Sequence, residues 1–245
     1  MRFLAERAGI SSGAVALVEA GRPASVATYA RLATALNLRL DLELTDPRRR
    51  NASSSRDIDL VHAAMGEVEA KHLRSIGFEI DLDSPYQHYQ FAGRADVVAI
   101  DRVRSALLHI ENRTRFPDLQ DAFGSYNAKR AYLGPELAER HGMRGAWSSE
   151  THVMVGLWSA EVLHTLRIRT ASFHSVCPDP PDAFAAWWAG QPPEHGRAST
   201  FVILDPDPQL ATSGRSRRRR FVGIADAMGT DPRYRGYAEA ANALR

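Results

Sequence analysis

Apolar positions at the start of the chain recur at helical intervals and are interrupted twice. Leu4, Ala5 and Ala8 form one short apolar face, Gly9 ends it, and Ser11 or Ser12 offers the hydroxyl that caps a second helix running to about Ala20. Gly21-Arg22-Pro23 is a turn, and Ser25 caps a third helix bearing Tyr29, Leu32, Ala33 and Leu36. Leu38 to Leu44 alternates strictly, which predicts a short strand. Its leucines share one face of an isolated edge, so pairing with the same strand of a second copy, in a homodimer, is expected. Residues 45–56 are polar and read as a linker.

Beyond the linker the period changes several times. Val61, Met65, Val68, His72 and Leu73 predict a helix over 58–76, Phe78 to Leu82 a first strand, and 89–100 a second. Inside that second strand the run Asp96 to Ile100 is followed by a polar turn at 101–105 and by Ala106 to Ile110 leading into Glu111, a hairpin of two largely buried strands. Residues 118–140 form a long helix with Leu119, Ala122, Phe123, Tyr126, Ala131 and Leu137 inward, and with Gln120, Lys129 and Arg130 polar. His152 to Trp158 is a strand, Ala160 to Leu166 a short helix, Asp182 to Gly190 a helix whose Trp187 and Trp188 cover the sheet, and Phe201 to Pro206 a strand. The rest beyond Arg167 reads as irregular, with SFHSVCPDPP as a strand end entering a turn. The expected fold is a two-part α+β chain: a small all-α part at 1–45, a linker at 46–56 and a mixed-sheet α/β domain at 57–245.

The balance of 44% hydrophobic and 24% charged residues is that of a soluble globular protein, and 245 residues suffice for a buried core. No apolar run reaches the ~18 residues of a membrane span, and the first residues lack a signal-peptide core. A cytoplasmic location with no membrane partner is therefore expected. The single cysteine, Cys177, excludes an internal disulfide framework and a Cys-based zinc site. The net charge of +2 is unevenly spread: residues 1–56 carry nine arginines against five acids, and the remainder is net negative. The first part is thus the better ligand for a polyanion. A second basic run, with Arg217, Arg218, Arg219 and Arg220, lies in a Gly/Ser-flanked loop and is expected to form a phosphate patch.

The spacing of the first three helices, with Leu4-Ala5, Ala8-Gly9-Ile10-Ser11, Val15, Val18-Glu19, Gly21-Arg22, Leu32-Ala33 and Leu36, resembles the Cro/repressor-type (XRE) helix-turn-helix over about 40 residues. That resemblance implies a transcriptional regulator on double-stranded DNA, with the second helix of the motif in the major groove. The family begins with one more helix, and Met1 stands where that helix should already have ended, so an upstream start or a packing partner is expected. Gly13, Ala14, Ala16, Leu17 and Ala20 occupy positions where the family often places Gln, Ser, Thr and Arg. Phosphate contacts from Arg7, Arg22 and Arg31 are therefore expected, with Ser11, Ser12 and the methyls of Ala14 and Ala16 near the bases and weak or shape-based readout.

In the hairpin, Asp96 opens one strand and Glu111 closes the other, so two carboxylates fall at one end, near enough to share a divalent cation, with Arg113 on the face of Glu111. Asp96 followed by Glu111-Asn112-Arg113 resembles the PD-(D/E)xK nuclease superfamily. The resemblance implies a nuclease-like domain at 57–245, a Mg²⁺ or Mn²⁺ ion held by Asp96 and Glu111, and a water positioned for attack. It places a further acid on the preceding helix, where Glu67 is the candidate, and makes Gln120 and Tyr126 similar to the Gln and Tyr of the exonuclease-like branch. Arg113 departs from the family's Lys: a guanidinium stays charged and cannot exchange a proton during catalysis. A DNA-binding regulator with an inactive nuclease-like domain, needing no cofactor, is the favoured expectation. The alternatives are a metal-dependent deoxyribonuclease targeted by its helix-turn-helix, and a module that senses a protein or ligand.

Overall fold

The computed structural model describes residues 2–38, 40, 60–88, 91–143, 145–211 and 219–244. Most of the alternating stretch 38–44, the linker and Arg217 and Arg218 lie outside these residues. The chain divides into two compact units, Met1–Ser54 and Ser55–Arg245.

The first unit consists of α1 (Arg2–Ala8), α2 (Ser12–Glu19) and α3 (Val26–Ala35). Gly9 takes the left-handed conformation, φ 62°, that ends α1, and the Ser11 hydroxyl then accepts the Ala14 N–H at 3.2 Å to start α2. Ser25 caps α3 in the same way through the Thr28 N–H, also at 3.2 Å. The core is small: Ala5, Ala8, Val15, Leu32 and Ala35 are buried, with Leu4, Ile10 and Val18 packed against them. Phe3, Leu17, Val26, Leu36 and Leu38 are exposed.

The second unit begins with α4 (Leu60–Ser75), β1 (Glu79–His88), β2 (Phe91–Asp101), β3 (Ala106–Arg113), α5 (Leu119–Arg140) and β4 (Ser149–Leu157). The chain continues through α6 (Ala160–Ile168), α7 (Thr170–Val176), α8 (Asp182–Trp188), β5 (Gly196–Leu204), a 3₁₀ turn (Pro208–Ala211), β6 (Phe221–Gly223), α9 (Ile224–Met228) and α10 (Tyr237–Ala243). The region beyond Arg167 is thus regular, contrary to expectation. Its elements are too short for periodicity to show in the sequence, and Cys177 follows a helix rather than a strand.

One six-stranded sheet runs in the order β1-β2-β3-β4-β5-β6. β1, β2 and β3 form an antiparallel meander, β3, β4 and β5 are parallel, and β6 returns antiparallel on β5. Parallel neighbours need crossovers, which α5 supplies between β3 and β4 and α6 to α8 between β4 and β5. β3 is buried on both faces, as its near-continuous apolar run requires. The first strand is longer than the sequence suggests, and it tolerates Pro85 because β1 is an edge.

Alternation along β3 decides what the site looks like. Odd-numbered His109 and Glu111 turn toward α5, and Asn112 turns toward α4. The neighbouring β1–β2 ladder breaks step at one place. Asp83 has φ 56°, and the pairing passes from Leu82↔Val97 to Ser84↔Ala95 without a pair between. On either side of this break the strands change face: Ile80, Val97 and Ala99 join one apolar cluster, Tyr86 and Ala95 another. Asp96 sits at the break.

Candidate functional site

On the α5 side, Glu111 is buried and fully engaged. Lys129 Nζ donates to both of its oxygens at 2.5 Å, and Arg113 donates to Oε1 at 2.7 Å. Burial alone would raise the Glu111 carboxyl; the Lys129 ammonium and then the Arg113 guanidinium overcome it and hold it well below the usual carboxylate range. Next along the sheet, His109 Nδ1 and His152 Nδ1 lie 3.3 Å apart, and His152 Nε2 reaches Glu150 at 3.2 Å. Arg197 closes this row on Glu150 at 3.0 Å. Burial depresses both imidazoles, His152 to about 4, against the opposing carboxylates, so both are neutral at pH 7. His109 Nε2 lies 3.5 Å from Glu111, too far for a hydrogen bond, and has no partner.

On the α4 side, Glu69 Oε2 accepts from Asn112 Nδ2 at 2.8 Å, and both side chains are buried. Glu69 Oε1 and Asn112 Oδ1 have no partner. Burial pushes the Glu69 carboxyl up to about 8; the Asn112 amide opposes this, the Asp96 carboxylate adds to it and His62 opposes it. Asp96 Oδ2 accepts the backbone N–H of Asn112 at 2.7 Å and contacts His62 Nε2 at 3.2 Å.

The sequence-derived candidates are thus distributed, with corrections. Glu67 faces solvent, whereas Glu69 is the α4 acid that meets the hairpin, on the buried stripe Val61, Met65, Glu69, Leu73. Asp96 and Glu111 are engaged by different partners: Asp96 accepts from the Asn112 N–H and contacts His62, while Glu111 is held by Lys129 and Arg113. Among the described residues no three His, Cys, Asp or Glu side chains are placed to share a metal ion. With two cationic side chains already on Glu111, the residues present do not fit a Mg²⁺ or Mn²⁺ ion bridging Asp96 and Glu111.

Arg113 does lie on the face of Glu111, where it holds that carboxylate. Tyr126 is buried, its hydroxyl 3.0 Å from Ser199 Oγ, and burial holds its phenol neutral well above the usual range. Gln120 is exposed at the start of α5, nine residues and so about 13.5 Å along the axis from Lys129. Ala131, expected inward, is exposed, and Lys129, expected as a polar position of this helix, is buried. Glu69 and the two histidines were not singled out by sequence reasoning, and Lys129 and Asn112 only as a polar helix position and as the middle residue of the Glu111-to-Arg113 run. For Glu69 the signal was present, four residues from both Met65 and Leu73.

In the first unit Arg7, Arg22, Ser12 and Ala16 are exposed and Ala14 is half-buried. Ser11 spends its hydroxyl on the cap, and Arg31 reaches the Gly9 carbonyl at 3.4 Å. Of the basic run, Arg219 pairs with Asp226 at 2.6 Å in solvent, and half-buried Arg220 donates to the carbonyls of Asp205 and Asp207 at 2.9 and 3.1 Å. Arg220 therefore fastens a turn instead of offering a free cation for phosphate.

Comparison with protein-family models gives no match, and a search of curated proteins gives none either. No helix among the described residues is long and apolar enough to cross a membrane.

Proposed function

We propose that this chain is a DNA-binding transcriptional regulator of the Cro/repressor type, acting as a cytoplasmic homodimer on double-stranded DNA, and that its larger, nuclease-like unit does not cut. The observation that carries this reading is α2, set across a tight, serine-capped turn from α1 with Ser12, Gly13, Ala16 and Leu17 on its exposed side. A slim outer face of this kind suits entry into a major groove, and its lack of bidentate side chains limits base readout. Arg7 and Arg22 are placed to hold phosphates beside it. The absence of cleavage follows from Glu111, whose oxygens are already taken by Lys129 and Arg113. An attacking water has no ionised, uncommitted carboxylate pair to orient it.

Salt titration of duplex binding tests the reading. Release of counterions from about four to six contacts gives a log-log slope near −4 to −5, and each arginine removed in Arg7→Ser or Arg22→Ser flattens it by about 0.9. Binding and slope unchanged in the double variant would remove the first unit from the interface. Plasmid nicking in Mg²⁺ is expected to be negligible; brisk nicking abolished by Asp96→Ala and by Glu111→Ala would establish the enzyme instead.

A further inference from the structure

Glu69 and Asn112 leave a specific chemical remainder. They are joined by one hydrogen bond, Asn112 Nδ2 to Glu69 Oε2 at 2.8 Å, and each has one further polar atom, Glu69 Oε1 and Asn112 Oδ1, buried without a partner. Both leftover atoms are acceptors when Glu69 is ionised, and an amide oxygen can never donate. Two buried acceptors on already bonded groups are costly, and a hydrogen on Oε1 would turn one of the two into a donor. We propose that Glu69 is held as a neutral carboxylic acid whose Oε1–H donates to Asn112 Oδ1, closing a two-bond acid–amide ring that fastens α4 to β3 and opens when the proton leaves.

The surroundings favour the neutral form. The ionisable groups acting on Glu69 are Asp96 from β2, whose negative charge disfavours a second carboxylate, and His62 from α4, which is already engaged with Asp96. Burial works in the same direction as Asp96, and together they place the proton's loss at about pH 8. The proton passes to water when the ring opens, and the ionised Glu69 then faces Asp96 with only the Asn112 amide and His62 against it. α4 is thereby loosened from the hairpin at alkaline pH.

The test is made on the full chain. With glutamate labelled at the side-chain carboxyl with ¹³C, one resonance is expected to titrate near pH 8, and it should be missing from E69Q. Glutamine reproduces the neutral ring, donating from Nε2 to Asn112 Oδ1 and accepting at Oε1. E69Q should therefore keep its thermal midpoint from about pH 6 to 9 while the wild type falls. If no glutamate titrates above the ordinary carboxylate range of about 4 to 5, the neutral acid is excluded, and this holds even if E69Q fails to fold. A midpoint raised by Mg²⁺ in the wild type and not in E69Q would also overturn the proposal, since it would show an ionised Glu69 holding a cation.

Discussion

On the α5 side of β3, Glu111 is out of water and meets an ammonium and a guanidinium; on the α4 side, Glu69 is equally buried and meets one amide. The first carboxyl is driven to stay ionised and the second to keep its proton. Desolvation is shared by both, so the difference comes from the partner each helix brings. A strand that passes between two helices can therefore engage acids of opposite character through adjacent residues, Glu111 itself facing one helix and Asn112 holding Glu69 of the other.

Removing Lys129 should break this contrast most sharply. Lys129→Met leaves Glu111 buried with Arg113 alone and should cost about 3–5 kcal/mol in urea unfolding, whereas adding Glu111→Leu should recover most of the loss. A cost below about 1 kcal/mol would mean the pair is wet and the α5 side is not the ionic one.

The pH dependence sharpens the comparison, because the two acids contribute with opposite sign. Glu111 lies below its unfolded value of 4.5, so its contribution is present above that value and is lost as pH falls. Glu69 lies above 4.5, so its contribution is full below that pH and is lost as pH rises toward about 8. The stability difference between wild type and Glu69→Gln should therefore change by at most about 1.4 kcal/mol per pH unit in that window and level off outside it. A flat difference would make the two acids alike.

The smallest effect belongs to a control outside both faces. Ser25→Ala removes the α3 cap and should lower the stability of the first unit by about 1 kcal/mol, with no pH slope between 5 and 9. A pH slope in the difference between wild type and this variant would mean that a titrating group acts at the α3 cap.

The hairpin was legible because both of its strands are buried apolar runs separated by a polar turn, and the caps at Ser11 and Ser25 because their hydroxyls precede the helical periods. Glu69 was misassigned by phase. Counting Val68 and His72 into the apolar stripe rotates the helix and turns Glu67 inward, while the true stripe steps by four through Glu69 itself. Lys129 was legible only as a polar position of its helix, since Glu111, from another element, is what explains its burial. The break in the β1–β2 ladder at left-handed Asp83, opposite Asp96, is announced by no periodicity within β2. Arg220 reads as one member of a basic run, and what it binds is two carbonyls, fifteen and thirteen residues upstream in the chain.

Cys177 is the lone thiol of the chain and is fully covered at the end of α7, where burial pushes it up to about 11. In the folded protein it is both shielded and un-ionised, and so inert to alkylating reagents. Its labelling rate is thus a built-in clock for opening of the larger unit, readable by mass without adding any probe, and silent to fraying of the first unit.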